Sequence, residues 1–236
     1  FISQSDHLSR IYREAFGYKG PIWKCGYPKN DILVNGKADV REKVFKALNI
    51  SEDSKILLYA PSFRDSFYQK IDYSVYSVNF DLLYNALVSR FGGTWKILVR
   101  WHPLFADKLS KIYSISSSCV VDATNYPDMQ ELILATDVML SDYSSCIFDA
   151  AIRRIPCFTF ATDFDEYKSD RGVYYEMEEL PFPFAQNNQK LVNNILSFDK
   201  SVYYENLNRF NERTGVYEPG DSTKQICKKI IEHLNK

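Results

Sequence analysis

The chemistry-bearing side chains of this 236-residue chain gather in four short polar segments, each directly behind a short apolar run. Pro61-Ser62-Phe63-Arg64-Asp65 follows the run 56–59, and Arg100-Trp101-His102-Pro103 follows 97–99. Ser141-Asp142-Tyr143-Ser144-Ser145 follows 138–140, and Thr162-Asp163-Phe164-Asp165-Glu166 follows 157–160; the remaining run, 119–121, is followed only by Asp122. Guanidinium groups are permanent cations whose planar fork matches phosphate oxygens. An imidazole titrates near neutrality and can act as acid, base or cation. Serine hydroxyls beside the free N–H groups of a helix start can cradle an anion. Two arginines, a histidine and a serine cluster at strand ends therefore suit a phosphorylated ligand better than they suit ordinary loop polarity.

Each of these residues also has a plainer reading. Ser144 or Ser145 can serve as a helix N-cap, a role compatible with an anion cradle. His102 directly follows an apolar run beside Arg100, whereas His7 and His233 fall on surface helices and read as solvated. Asp163-Phe164-Asp165 has the form of a metal-holding DxD. The stretch 163–179, however, carries seven acids against Lys168 and Arg171, so it reads as a solvated face and no metal is expected. Asp149, four residues before Arg153, reads as half of a helix ion pair. No GxGxxG and no GKS/T occurs, which argues against a dinucleotide dehydrogenase and a P-loop NTPase.

These segments need a scaffold that brings strand ends to one rim. Helical patterns at 80–91, 129–135 and 145–154 alternate with the apolar runs, which predicts βαβ units and a parallel sheet buried on both faces. Ligands of such sheets bind beyond the carboxyl ends of the strands. A helix at 7–16, a short strand at 22–25, a turn-rich joint at 26–31 and a charged helix at 38–48 precede this unit; helices at 189–196, 202–213 and 223–234 close the chain. The fold class is α/β, a Rossmann-like doubly wound sheet from about residue 54 onward.

Composition narrows the partners. Hydrophobic residues at 45% and charged residues at 25% exclude wholesale disorder. Lys plus Arg total 29 against Asp plus Glu at 30, so no strong net charge favours nucleic acid. No run approaches the ~18 apolar residues of a spanning helix, and no signal-peptide pattern opens the chain. Five cysteines without metal spacing, with Cys119, Cys146 and Cys157 among apolar neighbours, read as buried thiols of a reducing, cytoplasmic compartment. Asn49-Ile50-Ser51 reads as a chance glycosylation triplet, and Lys224, Lys228, Lys229 and Lys236 on the closing helix read as a solvated face rather than an anionic-surface contact.

Taken in order, the motifs resemble the CDP-glycerol glycerophosphotransferase family, which makes teichoic acid and related polyol-phosphate polymers. The matching pieces are Gly26-Tyr27-Pro28-Lys29-Asn30-Asp31, Tyr59-Ala60-Pro61-Ser62-Phe63-Arg64-Asp65, Arg100-Trp101-His102-Pro103, and 137–140 running into Ser141-Asp142-Tyr143-Ser144-Ser145 with Phe148-Asp149 behind. Asp165-Glu166-Tyr167 with Arg171-Gly172, and Asp221-Ser222, complete the set. The resemblance implies the C-terminal half of a GT-B glycosyltransferase-like fold, in which two Rossmann-like domains face each other. It implies transfer of glycerol phosphate or ribitol phosphate from a CDP-activated donor to a hydroxyl of a growing polymer or glycan, releasing CMP. His102 matches the family's essential histidine, and Ser144 and Ser145 match its diphosphate-binding serines. Arg64 is expected near phosphate, Arg171 in the donor pocket, and Arg100, Ser141 and Asp142 in the same substrate-binding set. No cofactor is implied.

The family's tryptophan-histidine-glycine segment, with its second catalytic histidine, has no counterpart here, because the chain has no His-Gly pair. Residues 1–53 are therefore read as the remnant of an N-terminal acceptor domain plus linker, and 54–236 as the CDP-polyol-binding domain; the opening Phe1 is read as truncation. The expected place of action is the cytoplasm, at the inner face of the bacterial membrane, with peripheral membrane association of the longer protein. A GT-B enzyme using a UDP- or GDP-sugar, and a non-catalytic nucleotide-binding module, stand as alternatives.

Overall fold

Two parallel sheets account for the strands of the computed structural model, which describes residues 1–64, 73–102 and 118–235. β1 (Ile2–Ser3), α1 (Asp6–Phe16) and β2 (Trp23–Lys24) form a minimal βαβ unit, with Ile2 opposite Trp23 and Ser3 opposite Lys24. Ser5 starts α1 by accepting from Leu8 N at 3.0 Å, and Gly17, at φ 58°, ends it in the left-handed conformation that favours glycine. A 3-10 turn at Pro28–Asn30, α2 (Asp31–Asn35) and α3 (Ala38–Ala47) lead to the main sheet.

The main unit runs β3 (Ser54–Ala60), α4 (Phe80–Phe91), β4 (Thr94–Val99), β5 (Val120–Asp122), α5 (Met129–Ala135), β6 (Val138–Ser141), α6 (Cys146–Ile152), β7 (Cys157–Phe160), α7 (Phe164–Arg171) and β8 (Phe184–Ala185). It closes with α8 (Asn188–Leu196), α9 (Lys200–Thr214) and α10 (Ser222–Leu234). The strands lie in the order β5-β4-β3-β6-β7-β8, every pair parallel. Numbered from its own first strand, this is the 3-2-1-4-5-6 order of the doubly wound fold. Continuous apolar runs at Ile56–Leu58 and Val138–Leu140 are buried because helices cover both faces of such a sheet. α2, α3, α5 and α6 pack against one another in one layer, and α4 packs on α8 in another.

Strand order reverses between β3 and β6, so their connections leave in opposite directions. A crevice opens beyond the carboxyl ends of these two strands, where ligands of this fold bind. The observed sheet agrees with the alternation read from the sequence. Besides α2 (Asp31–Asn35), where the sequence reading has no helix between the joint at 26–31 and the helix at 38–48, three elements were not legible there. β1 and β8 are two residues each, too short for a period, and α7 buries only Phe164, so it shows no apolar stripe. Asp65, Pro103 and Lys236, quoted in the sequence motifs, lie outside the described residues. Among the described residues no helix is long and apolar enough to cross a membrane.

Candidate functional site

The two central strands are tied together at their carboxyl ends by side chains. Ser141, the last residue of β6, donates from Oγ to Ala60 O at 2.6 Å. Asp142 Oδ1 accepts from Ser62 N at 2.7 Å and Ser62 Oγ at 2.6 Å. Its Oδ2 lies 2.9 Å from Arg64 Nη1. Arg64 is buried and also donates through Nε to Asp163 Oδ2 at 2.7 Å, through Nη2 to Asp163 Oδ1 at 3.1 Å and through Nη1 to Ser62 O at 3.1 Å. Its guanidinium carbon sits 4.6 Å from the Tyr143 ring centroid and 5.3 Å from that of Tyr167. Burial works against the charge on Arg64, but Asp142 and Asp163 outweigh it and hold its pKa above the ordinary value. Arg64 and Ser141 are buried in this frame, and Asp142, also buried, lines the adjoining cleft.

Asp163 has no free carboxylate either, since Tyr143 Oη donates to its Oδ1 at 2.9 Å. Burial, together with the Asp163 charge, drives the Tyr143 pKa far up and keeps the hydroxyl a donor. The acidic stretch therefore contributes a structural counterion at its first residue, while Asp165, Glu166, Asp170, Glu178 and Glu179 form the exposed face expected from sequence.

Other members of the expected set are less enclosed: Ser144 and Arg100 are half-buried, Ser145 and His102 exposed. Ser145 is the N-cap residue of α6, yet its side chain makes no capping hydrogen bond, so the plain N-cap reading of its hydroxyl does not apply. Ser144 and Ser145 line a cleft of about 740 Å³ together with Tyr143, Phe148, Tyr167 and His7. Arg100, just past β4, is fixed by its own N–H to Tyr59 O at 2.9 Å. Its Nη1 is buried and has no hydrogen-bond partner among the described residues. Desolvation lowers its pKa, and the charge of Asp128 offsets part of this. A buried guanidinium nitrogen without a partner costs about 1–3 kcal/mol, which an incoming anion would recover. His102 is exposed at the same strand end, with its ring 5.2 Å from that of Phe63 at the end of β3. Arg171 is exposed at the last residue of α7, 4.0 Å from Asp170; the cleft lining includes its neighbour Gly172 but not Arg171, Arg100 or His102 themselves. A second cavity of about 890 Å³, near β8, contains none of these residues.

Two sequence readings are corrected. His7 is not a solvated surface residue; it lies in the cleft with its ring 4.9 Å from Tyr175, and desolvation together with Arg10 and Arg213 lowers its pKa. Asp149 does not pair with Arg153, which donates to Leu134 O; its carboxylate meets Lys29 and Asn30 instead. Sequence reasoning also missed the Tyr143–Tyr167 stack, with centroids 3.7 Å apart. The signal was the tyrosine density of 167–175, hidden within an acidic run.

Six parallel strands in doubly wound order define a Rossmann-like unit of the GT-B kind. More narrowly, the sequence profile of "CDP-Glycerol:Poly(glycerophosphate) glycerophosphotransferase" matches residues 1–232, and the chain belongs to that family. A teichoic acid poly(glycerol phosphate) polymerase of Staphylococcus epidermidis is 33% identical over 232 residues, covering 95% of this chain and 32% of that protein. One from Bacillus spizizenii is 30% identical, covering 98% of this chain and 58% of its own length. The solved wall teichoic acid polymerase TagF superposes with a TM-score of 0.80 at 31% identity, over 100% of this chain and 58% of that one. A histidine-to-asparagine variant of TagF, soaked with CDPG, fits equally well at a TM-score of 0.80. The chain thus spans between about a third and three fifths of these relatives.

Proposed function

We propose that the chain forms the donor-binding part of an enzyme that transfers glycerol phosphate or ribitol phosphate from a CDP-polyol to a hydroxyl of a growing teichoic-acid-like polymer or glycan. The acceptor hydroxyl gives its proton to a general base, the role the family resemblance leaves to its second catalytic histidine; its oxygen attacks the polyol-bearing phosphorus, the bond from that phosphorus to the bridging oxygen breaks, and CMP leaves with the electron pair. Negative charge builds on the bridging and non-bridging oxygens, and preorganised donors stabilise it. Arg100, Ser144, Ser145 and the free N–H groups at the start of α6 are the donors in this reading, with His102 beside them as proton donor or phosphate contact. Arg64, Ser141 and Asp142 hold the crevice in shape, and Arg171, next to Gly172 of the cleft wall, is the remaining donor-pocket cation of this reading. Residues 1–53 supply the edge of the acceptor side and the linker. The setting is the cytoplasmic face of the bacterial membrane, where such a polymer would grow.

The observation that carries this reading is Arg100 Nη1 at the carboxyl end of β4, buried and without a hydrogen-bond partner among the described residues. Family membership and the CDPG-soaked TagF variant support cytidine as the nucleotide. A thermal-shift panel tests it. CDP-glycerol, CDP-ribitol and CMP should raise the melting temperature, UDP- and GDP-sugars should not, and Ser144→Ala/Ser145→Ala should abolish the effect. Stabilisation by UDP or GDP alone, or by no nucleotide, overturns the proposal.

A further inference from the structure

Polar contacts behind the switch point are as ordered as those in front of it. Asp149 is the fourth residue of α6, and its side chain is 6% exposed. Its Oδ1 accepts from Asn30 Nδ2 at 3.1 Å, while its Oδ2 pairs with Lys29 Nζ and accepts from Gln130 Nε2 at 3.2 Å. The Asn30 amide also donates to Glu218 Oε1 at 2.9 Å, and Glu218 Oε2 accepts from Tyr27 N at 3.1 Å. Gly26, at φ 77°, lets the chain pass this cluster; a Cβ there would stand 2.5 Å from Ser222 Oγ and 2.7 Å from Glu218 Oε2. The segment 26–31 joins the β1–β2 unit to the main sheet, and it is fastened to the body of the helix that starts at the candidate phosphate site.

A helix of seven residues has too few internal hydrogen bonds to set its own direction, so packing and side-chain contacts set it. A buried carboxylate held by a lysine and two amides works as a unit, since removing one partner leaves charge or donors uncompensated. Displacement of about 1 Å at groups that hold a reacting phosphate is enough to cost binding and rate.

We propose that Asp149 is a positioning residue for the donor phosphates. Through Lys29 and Asn30 it fixes the direction of α6, and thereby couples binding at Ser144 and Ser145 to the placement of the β1–β2 unit. The inference rests on the donor-site reading above.

Calorimetric titration of the intact protein with CDP-glycerol tests it, at a temperature where circular dichroism shows every variant folded. Asp31→Asn is the control: Asp31 belongs to the same segment but holds the start of α10, accepting from Ser222 N at 2.8 Å and Thr223 N at 2.9 Å. Asp149→Asn should weaken binding roughly tenfold or more. Asp31→Asn should change it by less than about twofold while lowering the melting temperature. If Asp149→Asn does not fold, Lys29→Met, at a half-exposed partner, carries the same expectation. Unchanged affinity in the Asp149 or Lys29 variant, or equal losses in that variant and Asp31→Asn, overturns the inference while leaving the donor reading intact. Absence of binding by the wild type overturns the donor reading, and this inference with it.

Discussion

Arg64 and Asp163 meet as a two-pronged ion pair, Nε to Oδ2 at 2.7 Å and Nη2 to Oδ1 at 3.1 Å, linking the segment after β3 to the start of α7. The same guanidinium reaches Asp142 at 2.9 Å, so the ends of β3, β6 and β7 converge on one buried cation. Arg64→Met strands two buried carboxylates and should cost about 3–5 kcal/mol in urea unfolding. Arg64→Lys should recover only part of this, because an ammonium cannot reproduce the fork. Wild-type stability in the lysine variant would contradict the role given to the pair.

Arg100 predicts the opposite balance between stability and binding. Its Nη1 is buried and unsatisfied among the described residues, so Arg100→Met removes a desolvation penalty of about 1–3 kcal/mol. The melting temperature without nucleotide should rise, by about 2–4 °C for each kcal/mol at this size. Stabilisation by CDP-glycerol should fall at the same time. A variant that loses stability and keeps its nucleotide response would show that Arg100 serves the fold instead.

Asp31 gives a pH signature. Burial opposes its ionisation, but hydrogen bonds from Thr223 and Ser222 outweigh burial and hold its pKa below the usual carboxylate value. A carboxyl depressed in the folded state adds stability above its unfolded pKa and loses it as pH falls through the folded one. Asp31→Asn should therefore melt below the wild type at neutral pH, with the gap closing below about pH 4. A gap that stays constant through the acid range contradicts this.

Thiol reactivity should follow burial. Desolvation pushes Cys146 up to about 11 and raises Cys157 as well, whereas Cys227 is exposed on α10. Iodoacetamide followed by mass spectrometry should modify Cys227 first and reach Cys157 only on unfolding. Fast native labelling of Cys157 would mean that the β7 edge opens locally.

The parallel sheet was legible because buried strands are bounded apolar runs, as at Leu57-Leu58 and Met139-Leu140. The division of labour within each polar segment was not. Arg64 and Arg100 look alike in sequence, but Arg64 meets Asp163 across 99 residues and Arg100 Nη1 meets no hydrogen-bond acceptor among the described residues. Asp149 shows the same limit. A local partner four residues away was the natural choice, and Lys29, 120 residues distant, takes its place. His7 was misplaced because Tyr174 and Tyr175, which cover it, come from the far end of the chain. Local pattern carries the elements; the pairing of buried charges is decided by tertiary proximity.

The junction of β3 with β6 also governs when the molecule can work. Ala60 and Ser141 are hydrogen-bonded at a sequence separation of 81, and the pairing is parallel, so no hairpin can bring them together early. Contacts of such sequence separation form late, after the loop-closure entropy has been overcome. A nascent chain that has not yet released β6 has Arg64 and Arg100 but not the β3–β6 junction, and the cleft wall that reaches Glu218 must wait for almost the whole chain.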